Sequence, residues 1–182
     1  EAAFRQLQGK VTLQRSLLPT APTHPEFEFG GKMVPADEVG GDFYDVHSSL
    51  DGRALWLAMG DVSSHGLGSG VVMLMAQTAT AFAFTSDADA PVSEVVRHLN
   101  HTLHLNVCER MQDNKYLTMQ LLTYRGNGRF DCAGGHEWPI VVRAATGKSE
   151  IIEAAGPWLG RVSQLDEIPT YSIDLDAGDL LC

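Results

Sequence analysis

Apolar positions along this chain change period several times, and each change marks a predicted element. At the amino end Phe4, Leu7, Val11 and Leu18 recur at alternating spacings of three and four, with Gln14 in the intermediate place. This predicts a helix over residues 1–18, stopped by Pro19, in a register that suits a coiled coil. Two origins stay open for it: the tail of a helix from an upstream regulatory segment, or an amphipathic helix packed on its own domain. Residues 19–25 form a proline-broken connector. Phe27 and Phe29 then alternate with polar residues in a predicted strand over Glu26–Val34, ended by Pro35. Two more strands are expected at Phe43–Ser48 and Ala54–Met59, about the turn Leu50-Asp51-Gly52-Arg53.

After Gly66-Leu67-Gly68 the apolar positions become helical. Val71, Val72, Leu74, Met75, Ala79, Phe82 and Phe84 surround most of a helix, which predicts protein on both its faces. The run Val71–Phe84 is short for a membrane span and contains Gln77, Thr78 and Thr80, so a core helix is expected rather than membrane insertion. A second helix starts with Pro91 at or near its first position and carries Val92, Val95, Val96, Leu99 and Leu103 as a buried stripe. His98, His101 and His104 lie off that stripe without a carboxylate or cysteine among them, and read as a solvated face. The remainder predicts strands: Tyr116–Tyr124 and Arg129–Ala133 about Asn127-Gly128, then Trp138–Arg143 and Glu150–Glu153 about Thr146-Gly147. A loop at Gly156–Gly160, a strand at Tyr171–Leu175 and the opening of another at Asp179–Cys182 complete the pattern. Strands, two helices and then many antiparallel strands argue an α+β fold, with helices covering a sheet or two stacked sheets. Residues 19–182 form one expected domain. The strand opened by Leu180-Leu181-Cys182 is expected to continue beyond residue 182, leaving the fold C-terminally incomplete.

Composition narrows the chemistry. The formal net charge is −10 and there is no run of Lys or Arg, which argues against a nucleic-acid groove and against attraction to anionic lipid. An acidic protein that handles phosphate needs a local positive source, and a bound divalent ion supplies one. Cys108, Cys132 and Cys182 are scattered and odd in number, without CxxC spacing. Neither a disulfide framework nor a zinc knuckle is expected, and with no signal-peptide pattern the expected localisation is cytoplasmic.

Two carboxylates stand out, because each follows a glycine: Gly41-Asp42 and Gly60-Asp61. Either pair alone fits an ordinary turn, since Gly and Asp favour turns. At matching ends of one predicted hairpin, however, Asp42 would start the first strand and Asp61 end the second, so that antiparallel pairing brings them together. Two adjoining carboxylates repel unless a cation lies between them, which points to a hard-metal site.

The segments LQRSLLP, PADEVGGDFYDV, GDVSSHGLGSG, CAGGHEWPIVV and GPWLG, in order and spacing, resemble the metal-dependent Ser/Thr protein phosphatases of the PPM family, in the bacterial branch typified by SpoIIE and RsbU. The resemblance implies an α-β-β-α antiparallel sandwich with two Mn²⁺ or Mg²⁺ ions at one end. It matches Asp42 to the first metal-binding acid, Asp61 to the acid that bridges both ions, and Val62 to a backbone carbonyl ligand. Paired ions lower the pKa of a shared water and hold the phosphoryl oxygens, so no covalent phospho-enzyme is required. Glu38 and Asp45 are either water ligands near the ions or plain loop acids. His65 either protonates the leaving serine oxygen or caps the turn. His136 matches a family motif or is a structural turn histidine.

The implied partners are a phosphorylated regulatory protein of the STAS-domain anti-anti-sigma type and an upstream sensor or receiver domain, with homodimer contact through the N-terminal helix. Two further family aspartates, in a Thr-Asp-Gly turn and a later Asp-Asn or Asp-Asp turn, have no counterpart here. The first is expected just past Cys182, and Asp174, Asp176 and Asp179 come too early to replace it. A second function class therefore stays open, a catalytically degenerate adaptor that binds a partner without turnover. The likeness of GGDFY to the GGDEF signature of diguanylate cyclases is set aside, because Phe43 stands where that motif requires an acid.

Overall fold

The computed structural model describes residues 19–20, 22–34 and 40–182. The expected helix over residues 1–18, Pro35 and Glu38 lie outside the described residues. Among the described residues the strands and α-helices are, in chain order, β1 (Phe43–Ser48), β2 (Leu55–Val62), α1 (Leu67–Ser86), α2 (Val92–His104), β3 (Leu117–Tyr124), β4 (Arg129–Gly135), β5 (Ile140–Val142), β6 (Ser149–Ile151), β7 (Thr170–Asp174) and β8 (Leu180–Leu181). One antiparallel sheet has the order β1-β2-β3-β4-β7, and a smaller one the order β6-β5-β8.

The two-residue period of the strands divides the interior into two cores. Trp56, Ala58 and Val62 of β2, with Leu117, Met119 and Leu121 of β3, face α1 and α2. Leu55, Leu122, Tyr124, Phe130 and Cys132 point the other way and meet Val141 of the smaller sheet. Strand β3 is thus covered on both sides, which explains its unbroken apolar run at Leu121-Leu122. Burying a side chain such as Leu121 in full contributes about 1.5–3 kcal/mol. Trp56, the largest of the buried side chains, is anchored by its indole N–H, which donates to the Ala88 carbonyl at 2.9 Å.

Both helices lie on the same side of the five-stranded sheet, but they fill that role differently. In α2 the predicted stripe, Val92, Val95, Val96, Leu99 and Leu103, is buried throughout. Pro91 sits at its N-cap rather than inside it. The helix runs on into a π-helical turn at Leu105–Arg110 that the sequence pattern does not announce. In α1 the expectation of cover on both faces is corrected. Val72, Met73 and Ala76 are buried, whereas Leu67 is 62% exposed and Phe82 72% exposed, with Val71 and Leu74 between them. At 20 residues the helix is longer than predicted, and by length and composition it is long and apolar enough to cross a membrane. Here its inner face packs on the sheet core.

The expected strand at Glu26–Val34 is also corrected. Residues 27–34 pair with no strand. Phe27 and Phe29 nevertheless pack against the sandwich core, and the Phe27 ring meets Tyr124 edge-on at 5.0 Å. The alternation reported burial correctly; it did not require a ladder partner. Trp138, expected to open a strand, precedes β5 and is half exposed, with its indole N–H donating to the Ala154 carbonyl at 3.0 Å.

Candidate metal centre

Strand register assembles the site. Pairing of β1 with β2 places Phe43 opposite Gly60, and the same register carried one residue further sets Asp42 opposite Asp61. The ladder does continue, since the Val62 N–H donates to the Gly41 carbonyl at 3.2 Å. Asp61 in turn pairs with Thr118 of β3. Thr118 lies opposite His136, one step past the last β3–β4 pair, Met119 with Gly135. Directly opposed residues in an antiparallel sheet project from the same face. Asp42, Asp61, Thr118 and His136 therefore form a row across four neighbouring chain segments at one end of the sheet. Asp61 lies one residue inside the end of β2, not at its tip as the sequence suggested.

The glycines before the two acids have separate reasons to be glycine. A Cβ on Gly41 would overlap the Val62 carbonyl oxygen and come within 2.8 Å of Asp61 Oδ1. A Cβ on Gly60 would come within 2.6 Å of the Thr118 carbonyl oxygen and 3.0 Å of the Phe43 ring. Absence of a side chain at position 41 leaves a cradle bordered by two oxygen donors. Beside them stands Asp42, whose exposure contrasts with the buried glycine before it.

The Asp61 carboxyl titrates above its ordinary range, first because burial penalises its charged form and second because Asp42 repels it, partly offset by His136. A carboxylate held in this way gains from any nearby cation. Hydroxyl and imidazole complete the row: Thr118 Oγ1 donates to the Asp61 carbonyl at 3.2 Å and lies 3.0 Å from His136 Nδ1.

The donor set suits a hard divalent ion: carboxylates of Asp42 and Asp61 together with a carbonyl at Val62, all oxygen. Among the described residues no group of three or more His, Cys, Asp or Glu side chains closes around an ion. Open oxygen sites with one or two carboxylates, completed by water and phosphate, are a usual environment for Mg²⁺.

Other sequence candidates fall elsewhere. His65 stands exposed in the turn between β2 and α1. Asp45 is a strand residue rather than a loop acid, and its Oδ2 lies 3.1 Å from His47 Nε2, an ion pair whenever that imidazole is protonated. His98 and His101 are exposed on α2, while His104 Nδ1 lies 3.1 Å from the Gly160 carbonyl oxygen. Asp174 and Asp179 pair with Arg129 and Arg143, so they serve structure. Thr118 is the residue that sequence reasoning missed. Its only signal was its position two residues into a strand that had to lie beside Asp61.

A cavity of about 420 Å³ opens at the opposite end of β3, around Asp89, Arg125, Asp131 and Tyr171. Arg125, which lines it, is already held by Asp131 at 3.0 Å and by the carbonyls of Asp89 and Ala90. His136 instead lines a smaller cleft of about 290 Å³ with Glu137, Trp138, Ile140 and Ile151, at the acidic end.

Comparison with known proteins bears on the fold and the family. No curated protein matches the chain. Among solved structures, the RsbU and RsbW domains of a Mycobacterium tuberculosis protein match with 25% identity and a TM-score of 0.64, over 79% of this chain and 38% of that one. This chain therefore spans well under half of that neighbour. The SiaA-PP2C domain of Pseudomonas aeruginosa matches with 14% identity and a TM-score of 0.71, over 97% and 69% of the two chains. The catalytic domain of the serine/threonine protein phosphatase PstP, solved in complex with two manganese ions, matches with 15% identity and a TM-score of 0.54, over 81% and 70%. The antiparallel sandwich with its helices is thus the PP2C phosphatase fold. The family model for Stage II sporulation protein E (SpoIIE) matches residues 51–182, which include Asp61, Val62, His65 and His136, and the chain belongs to that family.

Proposed function

We propose that this chain is the phosphatase domain of a bacterial signalling protein, hydrolysing a phosphoserine or phosphothreonine of a regulatory protein with the help of Mn²⁺ or Mg²⁺. The observation that carries the reading is the cross-strand pair Asp42–Asp61, repelling each other beside the side-chain-free cradle of Gly41. Asp42, Asp61 and the Val62 carbonyl would hold the metal. A divalent ion there supplies positive charge that acidifies water and holds phosphoryl oxygens. The chain's own part is positional. Gly41 and Gly60 let two backbones approach closely enough to oppose the carboxylates, and the β2–β3 ladder keeps Asp61 from turning away. His65 is exposed at the head of α1, where an imidazole can deliver a proton to a departing serine oxygen.

The partner we propose is a phosphorylated STAS-domain protein, with an upstream sensor or receiver domain attached through residues 1–18, homodimer contact by that segment, and a cytoplasmic location. The neighbour that joins RsbU to RsbW domains supports a regulatory protein partner. The test is Mn²⁺-dependent phosphate release from a phosphoserine peptide by the full-length protein, with Asp61→Asn as control. Metal-dependent release that D61N abolishes is the expected result. Partner binding with no release under any metal would favour the adaptor reading, to which the convergence of only two acids among the described residues lends support.

A further inference from the structure

We propose that His136 is a positioning residue that acts through Thr118 on the backbone of Asp61, and that it does so with its Nδ1 proton. The inference rests on the metal-site reading above and extends it to two residues outside the proposed ligand set, Thr118 and His136.

Hydrogen-bond accounting from the Asp61 carbonyl, which can only accept, gives the chain of contacts a direction. A threonine hydroxyl has one proton. Thr118 Oγ1 gives that proton to the Asp61 carbonyl at 3.2 Å. The same oxygen lies 3.0 Å from His136 Nδ1, and with its proton spent it can only accept. With Thr118 donating to Asp61, the hydrogen of the second contact is assigned to His136 Nδ1. The relay runs from imidazole N–H to hydroxyl to the carbonyl of Asp61.

The backbone explains why a histidine can stand here. Gly134 has a φ of +99°, and a Cβ on it would run into the Met119 carbonyl. Gly135 and Gly156 cross with no room for a side chain on either. The close approach of Gly134 to Met119 sets the end of β4 against β3, and the His136 ring comes alongside Thr118. The motif AGGHEWP is thus a device for delivering one donor to one hydroxyl. Its effect falls on the strand segment Gly60-Asp61-Val62, which supplies both the carboxylate and the carbonyl of the candidate centre. Removing the relay leaves both in place but frees the β2 end to shift. Loss of a partner that orients a metal-binding group typically costs about 10- to 100-fold in metal affinity.

Mn²⁺ binding to the full-length protein, measured by calorimetry, tests this without recourse to turnover. Asparagine places its side-chain amide N–H near the site of Nδ1, whereas glutamine reaches toward Nε2. We expect His136→Ala and Thr118→Val each to weaken Mn²⁺ binding about 10-fold or more. The double variant should be no weaker than the worse single one, because both remove the same relay. H136N should bind nearly as the wild type does, and H136Q as poorly as H136A. Equal binding by wild type and H136A overturns the inference and leaves the metal reading standing. Rescue by H136Q but not H136N also overturns it, since the ring would then act through Nε2. A wild type that binds no Mn²⁺ overturns the metal reading, and the relay with it. Circular dichroism melting of each variant separates lost relay from lost fold, and the H136N–H136Q contrast keeps the test decisive should T118V not fold.

Discussion

Two corners of this molecule gather carboxylates, and they do so to opposite effect. Where β5 meets β8, Asp179 is enclosed by donors: Arg143 at 2.8 Å, the Ala144 N–H at 2.8 Å and the Asp176 N–H at 3.1 Å. Glu150 takes the second arm of the same guanidinium at 2.8 Å. The Asp179 side chain is only 2% exposed, yet these donors hold its carboxyl below the ordinary range. At the acidic end of the larger sheet, burial and Asp42 push Asp61 above that range. The contrast separates two electrostatic settings for an acid. A carboxylate whose neighbours are donors is already satisfied and holds strands together. One whose neighbour is another carboxylate is relieved by taking up a proton or by an added cation.

The largest expected difference between the corners is in turnover. Asp61→Asn should lower Mn²⁺-dependent phosphate release at least about 100-fold, the scale on which losing one electrostatic stabiliser acts. The metal-free variant should be no less stable than wild type near neutral pH. An acid whose folded pKa is raised destabilises the fold at pH values above that pKa, and the penalty disappears once it is protonated. The melting temperatures of D61N and wild type should thus converge as the pH falls toward 3.8, the ordinary value for Asp. A metal-free D61N that melts well below wild type at pH 7 would put Asp61 among the structural acids.

Next in size is Gly41→Ala, which would set a methyl group against the Val62 carbonyl oxygen and Asp61. It should cost up to about 3 kcal/mol in denaturant unfolding and also weaken Mn²⁺ binding. Gly126→Ala supplies the control. Its φ is +87° and nothing lies within 4 Å of the added group, so the strained backbone should cost about 1–2 kcal/mol with no change in metal binding.

Smallest is the response of the satisfied corner. Arg143→Ala strips Asp179 of its cation and should lower the melting temperature while leaving Mn²⁺ binding unchanged. Because the folded pKa of Asp179 is depressed, its stabilisation is present above the ordinary carboxylate value and is lost as pH falls through the folded one. Asp179→Asn should accordingly melt below wild type at pH 7 and match it in strong acid. A change of metal affinity in either variant would break the division between the corners.

Much of this arrangement was legible before any coordinates. The hairpin β1–β2, the stripe of α2 and the Asn127-Gly128 turn follow from period and turn chemistry, which act over a few residues. The two aspartates were found because glycines mark them and because a hairpin places its ends by register alone. Glu26–Val34 was misread because alternation records burial on one side, and Phe27 and Phe29 achieve that burial against Tyr124 and Phe130 without a ladder. The outer face of α1 was misread for a related reason: its apolar residues show that no charge is required there, but not that anything covers them.

What the amino-acid order determined by itself was local: which segments are strands or helices, which faces are apolar, and that Asp42 and Asp61 share one end of a hairpin. What only the tertiary structure decided was the company they keep. Thr118 and His136 lie 57 and 75 positions beyond Asp61 in the chain, and no short-range pattern links them. They join its row because β3 and β4 pair in sequence beside β2, and because Gly134 lets β4 close on the Met119 carbonyl of β3 at the last step. Side-chain chemistry is written in the sequence, whereas adjacency across strands is settled only when both cores are packed and the register can no longer slip.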